Sequence, residues 1–346
     1  MASYFAGLTG PFPRSEALVE VTRRKDRGLE TEAAVRARYD AESERVTRRE
    51  IELGFDWVTG GLLPWQDLFR PWIERTENLE TGALSRWFET NTFFRPPRIT
   101  GTLSPKGGTL LSSLPDLTPW APGRPRAWIF PGPWTFANLC EDPKSRPLPA
   151  LAALWAGRLA QEVGALEGDG ASHLLLLEPC LVTHPPRASD QPGLERAYRP
   201  LRSILGRELN GIWTFFGDAS QALPFLARLP ASVLGCDLTV TEPTRLRSFP
   251  KDKTLGLGIL DPWTSLPEDL GELLRLVRGL DRRLGPKGIF LGPAASLDLL
   301  TAEAAERKLT VLARARETLL AGRTKPAPKP PARSARGSRS RRKGRP

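Results

Sequence analysis

From Gly54 onward, short apolar runs alternate with stretches whose apolar residues recur at helical spacing, the pattern of βα units on a parallel sheet. Eight runs read as strands: residues 55–61, 98–103, 127–132, 173–182, 211–217, 233–240, 254–260 and 288–293. They are nearly continuous in apolar residues, as strands buried on both faces must be. Helical periodicity fills several of the gaps, over 148–166, 194–209, 218–229 and 266–285. A closing helix is predicted from Thr301, which can serve as its N-cap, with Glu303 in the first turn suiting the helix dipole. Ahead of the first strand, residues 30–54 read as one long amphipathic helix. Together these elements predict an α/β chain folded as a single (β/α)8 TIM barrel with an N-terminal helical extension and an active site at the carboxyl ends of the strands. A doubly wound sheet is the rival, but no glycine-rich phosphate loop follows the first strand.

Charge adds a boundary to this picture. The net charge is +11 over 346 residues, yet ten of the 50 Lys and Arg lie in residues 323–346, which hold no acid. Residues 1–322, the predicted barrel, therefore carry 40 bases against 39 acids. The segment 323–346 has no aliphatic side chain larger than Ala and is expected to be a disordered Lys/Arg/Pro-rich tail. A salt-sensitive contact with RNA, DNA or another polyanion is one reading of it. A merely solvated tail is the other, favoured by the lack of interleaved aromatic residues. No apolar stretch reaches the roughly 18 residues needed to span a bilayer, so a cytoplasmic chain with no membrane partner is expected. Three widely spaced cysteines, Cys140, Cys180 and Cys236, suit a reducing compartment, and with only His173 and His184 besides, soft metal ligands are few.

The tip of the "GIWTFFGDAS" run, residues 211–220, bears no nucleophile, metal ligand or base where a barrel strand would deliver one. Four other segments explain what is missing. They are "GPFPRSEALVEVTRRKDRG" (10–28), "GALSRWFETNTFFRPPRITG" (82–101), "FPGPWTFANLCED" (130–142) and "LLLLEPCL" (174–181). The set resembles the catalytic domain of cobalamin-independent methionine synthase, above all its short single-barrel homologues, over roughly residues 8–320. The resemblance implies a barrel related to the uroporphyrinogen decarboxylase superfamily. In active members it implies a zinc ion that holds homocysteine as thiolate, for attack on the methyl group of a methyltetrahydrofolate or of a methylated corrinoid protein. Carried over position by position, the fifth-strand His of that family falls on Phe215 and its Cys on Gly217, the sixth-strand carboxylate on Asp237, and the last Cys on Ala295. The groups that would hold the amino-acid substrate fall on Pro11, Gly61 and Leu177. One carboxylate cannot hold catalytic zinc, so no metal ligand is assigned and zinc is not expected. A folate or corrinoid methyl donor, and a corrinoid protein as partner, follow from the resemblance alone.

The remaining polar groups at strand ends are the candidates for chemistry. Glu178, Asp237 and Asp261 end three strands and are taken as candidate catalytic carboxylates. Each also has a structural reading: a carboxylate tied to a base for Glu178, a loop hydrogen bond for the two aspartates. Asp218 follows the Phe-Phe-Gly tip and is either a substrate contact or a helix N-cap. Arg86 and Asn91, with Glu89 and Arg95, form the densest polar cluster and can seize a carboxylate or phosphate, unless Trp87, Phe88, Phe93 and Phe94 simply anchor a surface segment. Arg14, Trp65, Asp67 and Trp134 complete the candidate substrate-binding set, the tryptophans as stacking platforms for a flat ligand or as core. A relocated thiolate site from Cys180, Cys236 and His184 is disfavoured, because Cys236 adjoins Asp237 and points to the other strand face.

Three functions fit these residues: a methyl or one-carbon transferase that no longer needs zinc, a zinc-independent lyase on the same barrel, or a non-catalytic metabolite-binding barrel. All three take a small molecule at the barrel mouth.

Overall fold

A computed structural model describes residues 2–166 and 171–324. The strands are β1 (Ser3–Ala6), β2 (Thr76–Thr81), β3 (Ser85–Arg86), β4 (Phe93–Phe94), β5 (Pro97–Pro105), β6 (Arg126–Pro131), β7 (Ala171–Leu177), β8 (Gly211–Trp213), β9 (Val233–Asp237), β10 (Thr254–Leu260) and β11 (Gly288–Pro293). The helices in the first half are α1 (Glu16–Asp26), α2 (Glu32–Glu52), α3 (Arg70–Glu74), α4 (Pro133–Leu139) and α5 (Leu148–Leu166). Those in the second half are α6 (Cys180–Thr183), α7 (Gln191–Ala197), α8 (Arg202–Leu205), α9 (Leu223–Leu226), α10 (Leu270–Leu284) and α11 (Ala302–Thr324).

Seven strands form one curled parallel sheet in the order β1-β11-β10-β9-β8-β7-β6. Its two edge strands are both hydrogen-bonded to the segment 56–58: Asp56 N donates to Ala6 O at 2.9 Å, Val58 N to Pro125 O at 2.9 Å, and Ala127 N to Val58 O at 3.0 Å. Asp56 also accepts from Ala6 N at 2.8 Å and pairs with Arg316 of α11 at 2.9 Å, so the closing helix pins this junction. Trp213 fills the concave side of the sheet. A Cβ at Gly235 or Gly256 would come within 2.1 and 2.5 Å of its ring, so only glycine at those two positions leaves it room.

Three parts of the sequence reading change. The expected strand at 98–103 exists as β5, but it pairs antiparallel with β2 in a separate ribbon. Residues 55–61 form a bridge at Val58 and then a tight turn, not a long strand. The seventh strand of the sheet is β1, which was not expected. The predicted helix over 194–209 is broken into α7 and α8 at Pro200, whose missing N–H ends the ladder, and the one over 218–229 shrinks to α9. Elsewhere the expectations hold: α2 lies within the helix expected over 30–54, α5 spans 148–166 as expected, and Thr301 Oγ1 caps α11 by accepting from Ala304 N at 3.3 Å. Most of the expected basic tail, from residue 325 on, lies outside the described residues, while α11 runs to Thr324. Among the described residues, no helix is long and apolar enough to cross a membrane.

Candidate functional site

The carboxyl ends of the parallel strands open into a cavity of about 630 Å³. Its wall is built from the loop after β1 (Pro11–Arg14), the segment 63–68, the turn after β8 (Phe215, Phe216) and the segment after β11 (Ser296–Leu300). The β3–β4 hairpin reaches over from the side with Trp87, Asn91 and Phe93. Aromatic contacts fasten this strap: Trp87 packs edge-on against Phe94 at 5.1 Å, and Phe88 lies 5.5 Å from Phe216, which in turn lies 5.6 Å from Trp263.

Four of the predicted substrate-binding residues, Arg14, Trp65, Asp67 and Asn91, are brought together on this wall. The Trp65 ring is buried and its indole N–H donates to Ser113 Oγ at 3.3 Å. Asp67 Oδ1 accepts from Phe69 N and Arg70 N, both at 2.8 Å, which starts α3; burial raises its carboxyl above the usual range against those bonds. Sequence reasoning missed Asp298, which sits on the same wall near Arg14. Its surface opens onto the cavity, yet protein surrounds the mouth and desolvation raises its carboxyl to about 6, with the positive charge of Arg14 pulling the other way. The signal was available in principle, because Asp298 follows the last strand of the sheet, where a barrel delivers functional groups.

The other candidates lie elsewhere. Glu178 is completely buried behind α4 and accepts four hydrogen bonds, from Trp134 N at 2.8 Å, Thr135 N at 2.7 Å, Thr135 Oγ1 at 2.7 Å and Tyr198 Oη. It holds the first turn of α4, whose N-cap is Gly132 and has no side chain to do so. Desolvation by burial raises its pKa to about 7, partly offset by those bonds. Trp134 is buried, and its indole N–H donates to His184 O at 2.8 Å, so it offers no face to a ligand. Arg86 is exposed over the Phe93 ring at 5.9 Å and does not line the cavity. Asp218 closes a turn with Ser220 N at 2.9 Å and pairs with Arg245 at 3.0 Å, and Asp261 accepts from Trp263 N at 2.8 Å.

The positions carried over for zinc are occupied as follows. Phe215 and Phe216 present rings, 4.7 Å apart. Asp237 accepts from Thr239 N at 2.8 Å, Thr239 Oγ1 at 2.6 Å and Phe216 N at 3.1 Å. The last of these bonds supports Phe216 in the left-handed region at φ 66°, a costly conformation for an aromatic residue. Gly61, where the family's glutamate would fall, has φ 77°, while Pro11 lines the cavity and Leu177 is core. Burial pushes the thiols of Cys140, Cys180 and Cys236 up to about 12, which keeps them protonated.

A curled parallel α/β sheet with a cavity at its strand carboxyl ends, walled by aromatic and arginine side chains, is the arrangement in which α/β folds ordinarily carry their sites. The chain belongs to the cobalamin-independent methionine synthase family: residues 72–285 match the family model described as "Cobalamin-independent synthase, N-terminal domain". The matching model is that of the family's N-terminal domain, whereas the motifs quoted above were read against its catalytic domain. A 5-methyltetrahydropteroyltriglutamate–homocysteine methyltransferase of Mycobacterium bovis (strain BCG / Pasteur 1173P2) is 31% identical over 236 residues, covering 65% of this chain and 29% of that protein. The enzyme of the same description from Trichodesmium erythraeum is 27% identical over 229 residues, 63% of this chain and 29% of that one. The chain thus spans under a third of the length of these relatives. Among solved structures, a B12-independent methionine synthase from Shewanella sp. W3-18-1 superposes with a TM-score of 0.68 at 15% identity, covering 93% of this chain and 99% of that one. A methyltransferase from Methanosarcina mazei gives 0.57 at 14%, over 92% and 94%. At such identities the likeness concerns the fold.

Proposed function

We propose that this chain is a zinc-independent member of the family that binds a folate-like methyl or one-carbon donor at its mouth cavity. We further infer that residues 56–58 serve as the eighth strand of a closed (β/α)8 barrel, since they hydrogen-bond to both edges of the sheet. The observation that carries the functional reading is the cavity wall itself. It joins a cation, Arg14, and a carboxyl raised above the usual range, Asp298, to the aromatic faces of Trp65, Trp87 and Phe93. Arg14 suits an acidic tail, the aromatic side chains suit a flat ring, and Asp298 can accept or give a proton at the ring's polar edge. The relatives named for 5-methyltetrahydropteroyltriglutamate use a molecule of that shape.

The residues at the zinc positions do not fit the metal. Asp237 is engaged by three donors, Phe215 and Gly217 stand where the paired ligands would, and among the described residues no group of three His, Cys, Asp or Glu side chains is placed to hold a metal ion. No step of the chemistry is routed through zinc. Descent from a part of the family other than the one whose ligands were carried over accounts for the whole set of substitutions at once.

Titration of the purified chain with 5-methyltetrahydrofolate, followed by quenching of tryptophan fluorescence, tests this reading. Saturable binding, weakened about tenfold or more by Arg14→Ala and altered in its pH dependence by Asp298→Asn, is expected. Absence of binding, or about one tightly held zinc per chain lost on Asp237→Ala, would overturn it.

A further inference from the structure

Glu50, near the end of α2, is fully buried and makes no ion pair among the described residues. One turn engages its carboxylate entirely. Thr59 N donates to both oxygens at 3.0 Å, Thr59 Oγ1 to one of them at 2.8 Å and Gly60 N to the other at 3.1 Å. A buried carboxylate without a counter-cation is costly, and here it supplies acceptors to two buried amides that find none in the main chain.

The turn depends on that support. Gly60, Gly61 and Leu62 follow one another at φ 62°, 77° and 52°, and the left-handed region is unfavourable for leucine. Thr59 Oγ1 carries the hold one residue further by accepting from Gly61 N at 3.0 Å. From there the turn reaches two stretches of the mouth wall. Gly61 O accepts from Phe12 N at 2.9 Å, just ahead of Arg14, and Leu62 O accepts from Trp65 N at 3.0 Å, just ahead of Asp67. Glu42, about two helical turns earlier on α2, fixes the far end of the first stretch by accepting from Ser15 N at 3.4 Å and from Ser15 Oγ. The loop that bears Arg14 is thus pinned to α2 at both ends, by Glu42 directly and by Glu50 through Gly61.

We propose that Glu50 is a positioning residue of the mouth: its carboxylate fixes the turn at 59–62 and so sets Arg14, Trp65 and Asp67 in the places from which they meet a ligand. The proposal rests on the reading of the mouth as the ligand site. Glu50 does not line the cavity and acts only through the turn.

Three variants of the full chain test it. Glu50→Leu has a similar volume and no acceptor, so it strands Thr59 N and Gly60 N. Glu50→Gln is the conservative control, because one oxygen still serves both amides while its NH2 group can donate to Thr59 Oγ1. Thr59→Val removes the hydroxyl relay alone and carries the test should Glu50→Leu fold poorly. Hydrogen exchange read by mass spectrometry follows the wall, and titration with 5-methyltetrahydrofolate, read by tryptophan fluorescence, follows the ligand. In Glu50→Leu, peptides covering 8–14 and 59–67 should exchange about tenfold faster or more while β9 and β10 keep the wild-type rate, and the folate should bind about tenfold more weakly. Thr59→Val should show the same pattern at smaller amplitude, and Glu50→Gln should stay within about threefold of wild type in both measurements. Exchange rising equally in β9 and β10 would mark a merely structural carboxylate and overturn the proposal. Unchanged affinity beside a loosened turn, or Glu50→Gln as impaired as Glu50→Leu, would do the same. If the wild type itself does not bind the folate, the reading of the mouth fails, and the exchange comparison still decides whether Glu50 holds that wall.

Discussion

Replacing Glu178 by Gln asks whether the buried carboxyl behind α4 titrates near neutrality, as its surroundings dictate. Burial raises its pKa from 4.5 to about 7 in the folded chain. For an acid with a raised folded pKa, the native state holds the proton more tightly than the unfolded chain. Its contribution to stability is therefore fully present below pH 4.5 and is lost as pH rises through 7. A displacement of this size corresponds to about 3 kcal/mol. Gln keeps one acceptor oxygen and turns an NH2 group toward two of the four donors, so a backbone N–H in the first turn of α4 loses its partner at a cost of about 1–3 kcal/mol. Gln does not titrate. The variant should thus be less stable than the wild type at pH 5, and the gap should close or reverse by pH 8.5. Glu50, also fully buried and raised to about 7 by burial, is present in both proteins and cancels. Urea unfolding followed by tryptophan fluorescence from pH 5 to 8.5 measures the gap. If the two stability curves run parallel within about 0.5 kcal/mol, the carboxyl does not titrate there and the desolvation reasoning fails.

Three further substitutions probe the frame around the site. Gly132→Ala places a Cβ 2.3 Å from the Glu178 carboxyl and should cost about 2 kcal/mol or more, seen as a lowered melting temperature. Arg158→Met strands Glu162, its fully buried partner at 3.0 Å, and should cost about 3–5 kcal/mol; a loss under about 1 kcal/mol would mean that Glu162 finds another partner or a proton. Asp237→Asn swaps one acceptor for an NH2 group among three donors and releases the strained Phe216 turn. It should lower stability by about 2 kcal/mol and weaken ligand binding at the mouth, both measurable in one thermal-shift titration.

Six of the seven strands in the parallel sheet were legible as apolar runs, because a strand buried on both faces has no polar side to hide it. β1 was not, since four residues with a half-exposed pattern give too short a signal. β5 shows a strand's pattern but sits in the wrong sheet for a barrel, because pairing with β2 is decided by contact at a distance and not by the run itself.

At the site, the chain alone determined which residues stand at the positions the resemblance singles out, Phe215 and Gly217 among them, and that Trp65 and Asp67 follow an expected strand, because residue identity and local spacing are read along the chain. Only the tertiary structure decided what each carboxyl does. Glu178 is sealed by donors 20 to 44 residues away in sequence, whereas Asp298 is exposed to the cavity and set near Arg14 from the other end of the chain. Burial and the partners that relieve it are properties of space. A carboxyl's charge, and with it its use, depends on both.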